Sequence, residues 1–201
     1  MSHGTHQIDL FNWFLGVRPK TVMASGGTDY YDGKTHEWPD AMMVVYTYET
    51  SKGTVRAFYQ TVNTNGNLGH YEKFLGDEGA LVISEDKGLA NVYREGSSPD
   101  WDRWVNLDYL TRPGPKEGGK EGGALIAVTE TAPPPHYGVP VAFDEPFHKP
   151  HLQNFFDAVR GRVKLNCPPE AAYQTAVTVS KAMEALNANR TMEFTADDFK
   201  V

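Results

Sequence analysis

Ala41-Met-Met-Val-Val-Tyr-Thr-Tyr-Glu49, the tight connection Ser51-Lys52-Gly53, and Thr54-Val-Arg-Ala-Phe-Tyr-Gln-Thr-Val-Asn-Thr64 carry a period of two. Met42, Val44, Tyr46 and Tyr48 alternate with Met43, Val45, Thr47 and Glu49, so one face is wholly apolar and the other mixed. In the next run Val55, Ala57, Tyr59 and Thr61 alternate with Arg56, Phe58 and Gln60. Alternation built from β-branched and aromatic residues marks half-buried strands. Two strands joined by so tight a turn must be antiparallel, because a parallel pair needs a long crossover.

The same reading extends outward. Val22 to Ser25, His70 to Leu75, Ala80 to Ser84 and Leu89 to Arg94 are further β-rich runs, separated by Gly, Asn, Asp and Ser. Glu85-Asp86-Lys87-Gly88 reads as a second hairpin connection. Helices flank this region. Thr5 to Gly16 carries Ile8, Phe11 and Leu15 on one stripe, with Thr5 as cap and Gly16 and Pro19 as stop. Leu10, Trp13 and Phe14 widen its apolar surface, which predicts burial within a larger body and a further segment ahead of it. His148 to Arg160 gathers Leu152, Phe155, Phe156 and Val159. Pro169 to Asn187 has Ala172, Ala176, Val179, Met183 and Leu186 on one stripe. Thr191 to Phe194 adds a last short strand. Thr111 to Gly123 and Ala132 to His136, rich in Gly and Pro, read as solvated connectors. Helix, strands, then helices predict an α+β fold: a large open-faced antiparallel sheet with helices packed on one face, as a single domain over 1–201.

Composition fits one core. The chain has 201 residues, 40% hydrophobic and 22% charged, with net charge −7. That length is short for a two-domain dehydrogenase. Its 10 Tyr, 10 Phe and 4 Trp need burial, which excludes general disorder. No apolar run approaches the about 20 residues of a membrane helix, and no signal peptide follows Met1, so a soluble, cytoplasmic protein without a membrane partner is expected. The acidic balance excludes nucleic acid as a partner. A lone cysteine, Cys167, excludes an internal disulfide framework.

His6 and Asp9 are the candidate catalytic residues. Three positions apart at a helix start, they can share a face. A carboxylate near an imidazole orients it and suits it to acid–base work. The alternative is that His6 caps or packs, while Asp9 complements the positive end of the helix dipole. His3 is a further possible partner. His148 and His151 stand three apart, and His36 and His70 lie among the strands, yet no three-ligand set assembles, so no metal is expected. Cys167, without a base beside it, reads as a small buried contact. Gly118-Gly119 and Gly122-Gly123 follow no strand and form no phosphate loop, so no cofactor-binding residue is assigned.

These pieces together resemble the C-terminal part of the Gfo/Idh/MocA family, the glucose-fructose oxidoreductase and inositol dehydrogenase type. The matching stretches are Gly4-Thr-His-Gln-Ile-Asp-Leu-Phe-Asn-Trp-Phe-Leu-Gly16, Arg18-Pro-Lys-Thr-Val22 and Trp38-Pro-Asp40. Phe74-Leu-Gly-Asp-Glu-Gly-Ala-Leu81, Asn154-Phe-Phe-Asp-Ala-Val-Arg160 and Asn166-Cys-Pro-Pro-Glu170 follow in register. The resemblance implies a parent enzyme whose N-terminal Rossmann domain binds NAD or NADP. The C-terminal domain would supply a substrate wall, an oligomerising sheet and a catalytic histidine. That histidine, from the family's Asp-x-x-x-His motif, maps onto His6, and the motif's aspartate onto Ser2, a departure that removes a carboxylate.

The expected function is therefore the substrate-binding and oligomerisation portion of an NAD(P)-dependent oxidoreductase acting on a sugar or cyclitol. This chain alone should bind no nicotinamide and be inactive. In the parent, His6 would take a hydroxyl proton and Asp9 would orient or buffer it, with His148 or His151 reaching the sugar. A homodimer through the outer sheet face is expected. The alternative is a non-catalytic sheet scaffold or carbohydrate-binding module, in which Tyr46, Tyr48, Phe58 and Tyr59 stack on sugar or form the dimer interface.

Overall fold

The computed structural model describes residues 4–66, 69–84, 90–112, 136–140, 145–146 and 148–200. The contacts divide into two compact units, Met1–Asn67 with Pro150–Val201, and Leu68–Lys149.

The first unit holds the helix α1 (Gly4–Leu15) and the strands β1 (Pro19–Gly27), β2 (Ala41–Thr50) and β3 (Gly53–Val62). After these come most of α3 (His148–Val159), then α4 (Pro169–Ala188), β8 (Met192–Glu193) and a 3-10 turn at Ala196–Phe199. Its sheet runs β3-β2-β1-β8, antiparallel throughout. The second unit holds β4 (Glu72–Leu75), β5 (Gly79–Ile83), β6 (Asn91–Arg94), the short helix α2 (Asp102–Asn106) and β7 (His136–Gly138). Its antiparallel sheet runs β4-β5-β6-β7. The fold is α+β. The expected strands are present, and they make two four-stranded sheets.

Alternation in β2 decides the core of the first unit. Met42, Val44, Tyr46 and Tyr48 all point inward and are buried. The register sets Val22 of β1 and Ala57 of β3 beside Tyr46, and Tyr59 of β3 beside Val44. α4 lies against β1, α1 lies against β3, and the two helices touch. They bring Ile8, Phe11, Ala182 and Ala185 onto this face. Two buried tyrosines keep their hydroxyls satisfied, as burial demands. Tyr46 donates to the Thr178 carbonyl at 3.2 Å, and Tyr48 donates to Asn12 Oδ1 at 2.9 Å. Desolvation pushes both hydroxyls well above the usual tyrosine range, so they remain neutral donors.

This packing corrects three expectations. Tyr46, Tyr48 and Tyr59 stand on the helix-covered face and are closed to sugar stacking or dimer contact, whereas Phe58 stands on the other face, 56% exposed. The buried stripe of α4 is Thr175, Thr178, Lys181, Ala182 and Ala185, while Ala172 and Ala176 are exposed. The polar members of this stripe are admitted because each has a partner: Thr178 Oγ1 donates to the Gln174 carbonyl, Thr175 Oγ1 to Asp9, and Lys181 Nζ to Asp198. On α1, Trp13 and Phe14 are exposed rather than enclosed. Leu152, Phe155, Phe156 and Val159 share α3 as expected, and all four are exposed.

Asp40 ties the β1–β2 connection together. Its carboxylate, in a residue only 2% exposed, accepts the N–H groups of Asp29, Tyr30 and Tyr31 at 3.2, 2.8 and 2.9 Å. The Tyr31 N–H above all holds its carboxyl below the usual range, against the opposing effect of burial. In the second unit, α2 and β7 lie where no element was expected, each too short to show a period. The Glu85–Gly88 hairpin connection, the Thr111 to Gly123 connector from residue 113 on, and all but His136 of the Ala132 to His136 connector lie outside the described residues.

Candidate functional site

The first turn of α1 rests on β3. Gly4 is buried, and a Cβ there would lie 2.7 Å from Cζ and Oη of Tyr59. Only glycine lets the backbone approach the ring so closely. Two residues along, His6 is exposed. Burial raises the Tyr59 hydroxyl, and a hydrogen bond with Thr61 opposes this.

Asp9, one turn further on, is half-buried, and its partner is on α4. Thr175 Oγ1 donates to Asp9 Oδ1 at 2.5 Å, across 166 residues of sequence. Among the described residues no hydrogen bond joins His6 to Asp9. The two share the start of α1, but the carboxylate is fixed from α4. Cys167, expected as a buried contact, is exposed. It lies just ahead of Pro168 and Pro169, where the chain enters α4. Desolvation first, and the Asp9 charge second, push its thiol above the ordinary range. A carboxylate, a hydroxyl and a thiol thus gather around the exposed imidazole's helix. Thr175 was not singled out from sequence, and Tyr59 was singled out only for sugar stacking or a dimer interface. Thr175 and Thr178, three apart on one face of α4, were the available signal.

The other histidines are dispersed. His36 packs on the Tyr31 ring, centroids 4.7 Å apart, with its Nε2 buried and unpartnered. His148 and His151 are exposed on α3. Among the described residues no three of His, Cys, Asp and Glu are grouped as a metal ion requires. None of the described helices is long and apolar enough to cross a membrane. Ser2 and His3 lie outside the described residues, as do Gly118, Gly119, Gly122 and Gly123. An open apolar depression of about 240 Å3, lined by Val92, Trp101, Trp104, Tyr109 and Leu110, includes none of the candidates.

The first unit is thus a helix-backed antiparallel sheet with an exposed histidine at the start of its first helix. The family model for the oxidoreductase family, C-terminal alpha/beta domain, of the Gfo/Idh/MocA type, matches residues 1–194, and the chain belongs to that family. An NAD-binding protein from Listeria innocua superposes with TM-score 0.61 at 18% identity, over 95% of this chain and 50% of that one. The WlbA dehydrogenase from Bordetella pertussis, solved with NADH and UDP-GlcNAcA, gives 0.58 at 13%, over 98% and 45%. WlbA from Chromobacterium violaceum, solved with the same two ligands, gives 0.60 at 14%, over 98% and 46%. At these identities the likeness establishes the fold. The chain spans about half the length of these relatives. No curated protein matches the sequence significantly.

Proposed function

We propose that this chain is the substrate-binding and oligomerisation portion of an NAD(P)-dependent oxidoreductase acting on a sugar or cyclitol, and that His6 handles the substrate proton. The observation that carries the reading is the seat of His6: exposed, on a first turn pressed onto Tyr59 by Gly4, in a domain of an oxidoreductase family. Pre-organisation of this kind is what acid–base work needs.

The described residues of this chain do not fit a dinucleotide. A pyrophosphate is held at a helix N-terminus after a parallel strand. Every strand pair among the described residues is antiparallel. In this reading the nicotinamide, which accepts hydride in such reactions, is held by another part of the parent enzyme. What this chain does is bind and orient a hydroxylated ring and move one proton. The hydroxyl proton passes to an imidazole nitrogen of His6 as the alcohol is oxidised. Asp9, about one turn along the same helix, is the carboxylate assigned to orient or buffer that imidazole. The cytoplasm is the compartment this reading implies.

Three measurements test it. Calorimetry of this chain against NADH and NADPH is expected to show no binding, and micromolar affinity for either overturns the division of labour. Saturation-transfer NMR with a panel of pyranoses and cyclitols is expected to detect binding that weakens in His6→Ala and in Asp9→Asn. In a polypeptide that also carries the dinucleotide-binding half, His6→Ala is expected to lower turnover by about 10²–10⁴-fold. Ring binding with unchanged turnover in that variant leaves His6 without an acid–base role.

A further inference from the structure

We propose that Thr175 of α4 is a positioning residue that fixes the Asp9 carboxylate within the candidate site. Thr175 itself touches neither substrate nor reacting atoms in this scheme. The proposal gives the earlier reading of His6 and Asp9 its geometry, and its importance for turnover rests on that reading.

Threonines inside helices ordinarily return their hydroxyl to a carbonyl one turn back. Thr178 does this, donating to the Gln174 carbonyl at 2.8 Å. Thr175, on the same stripe and only 3% exposed, instead sends its proton across the helix interface to Asp9 Oδ1. At 2.5 Å this is a short hydroxyl–carboxylate hydrogen bond. Two apolar side chains would join α1 to α4 without desolvating a charge, so a mere tie between helices does not explain the choice. The bond removes the rotational freedom of the carboxylate. It commits Oδ1, while Oδ2 accepts no hydrogen bond among the described residues. The turn from His6 to Asp9 is then held at both ends, by Gly4 against Tyr59 and by Asp9 against Thr175.

Cys167 is a built-in reporter. It is the only cysteine in the chain, and the Asp9 charge acts on its thiol. Alkylation follows the thiolate, so its rate against pH reads the position of the carboxylate. The experiment measures iodoacetamide alkylation of this chain between pH 7 and 10 for wild type, Asp9→Asn, Thr175→Ser, Thr175→Val and the double variant Asp9→Asn/Thr175→Val. Asp9→Asn is expected to displace the profile to lower pH. Thr175→Val, of nearly the same shape, is expected to change the rate at fixed pH by about twofold or more. Thr175→Ser, which keeps the hydroxyl, is expected to restore the wild-type profile. In the Asp9→Asn background, Thr175→Val is expected to change nothing, because there is no carboxylate left to position.

A Thr175→Val profile superimposed on wild type overturns the proposal, as does an equal Thr175→Val effect with Asp9 removed. An Asp9→Asn profile identical to wild type removes the carboxylate from the neighbourhood of the thiol, and the proposal falls with it. If Thr175→Val does not fold, Thr175→Ala takes its place in the same comparison. The measurement needs neither sugar nor nicotinamide, so its failure is separable from failure of the proposed function.

Discussion

At Gly4 a single hydrogen atom decides where His6 stands. The space a methyl group would fill is already occupied by the Tyr59 ring, whose Cζ and Oη lie 2.7 Å from the Cβ position. Tyr59 cannot give way easily, since it is buried between β2 and the helix. Gly4→Ala is therefore expected to lift the first turn of α1 off the sheet and to cost about 1–3 kcal/mol of stability, the usual scale of overpacking. Thermal unfolding measures the cost, and amide shifts confined to the first turn of α1 and to β3 locate the movement. Gly4→Ala combined with Tyr59→Leu, which vacates the space, is expected to recover most of the stability. An unchanged melting temperature in Gly4→Ala would mean the turn is not seated on the ring. Asp40 makes the complementary point about carboxylates. Its two oxygens gather three N–H groups and order a connection that exposes Tyr30 and Trp38.

Among the elements, the end of the chain is fastened to α4 by charge. Asp198 pairs with the buried Lys181 ammonium through Oδ1, and Oδ2 accepts the Thr195 N–H at 2.6 Å and its hydroxyl at 2.9 Å. Around this pair Phe194 stacks on Phe199, and the Arg18 guanidinium lies 4.5 Å from the Phe199 centroid. The bond from Lys181, then that from Thr195, lowers the Asp198 carboxyl from 3.8 to about 2. A carboxyl depressed in the folded state stabilises fully above its unfolded value, and that contribution disappears as pH falls through the folded value. Unfolding of the wild type is expected to become easier as pH drops from about 4 towards 2. Asp198→Asn is expected to melt lower at pH 6 and to show a flatter dependence over that window, and parallel curves for the two proteins would rule the clasp out. The legibility of the sequence divides along the same line. Period-two alternation disclosed β2 and β3 and their pairing, because burial on one face leaves its mark on hydropathy. Helix stripes disclosed α1, α3 and α4. The buried face of α4 was misread, since Thr175, Thr178 and Lys181 are admitted by partners distant in sequence, and no local pattern records a partner. For the same reason the sequence offered His6 and Asp9 as candidates, whereas Thr175, the partner Asp9 has in the structure, was not legible. The short α2 and β7 carry too few residues for any period to show.

At the scale of the whole molecule, the sheet of the first unit has two unlike faces. One is closed by α1 and α4. On the other, the register aligns Met23, Val45 and Phe58 across three strands, with Met43 beside them. Met23 is 54% exposed, Met43 47% and Phe58 56%, while Ser25, Thr47, Arg56 and Gln60 border them. An apolar centre with a polar rim is how recognition surfaces are built, and a flat sheet face repeated about a two-fold axis buries itself against its own copy. This chain is therefore expected to run as a dimer, or a higher even multiple of its 22.4 kDa mass, in light scattering after gel filtration. The exposed Phe155 and Phe156 of α3 are a rival source of association, and one pair of variants separates the two. Phe58→Glu places a charge at the centre of the sheet patch, where two-fold pairing would bring it close to its own copy. It points away from the core, so the fold survives, and the species is expected to fall to a monomer. Phe155→Glu is expected to leave the multiple unchanged. The reverse result assigns association to α3. A wild type that is monomeric at tens of micromolar shows that three aligned apolar side chains are too little surface to hold two copies together.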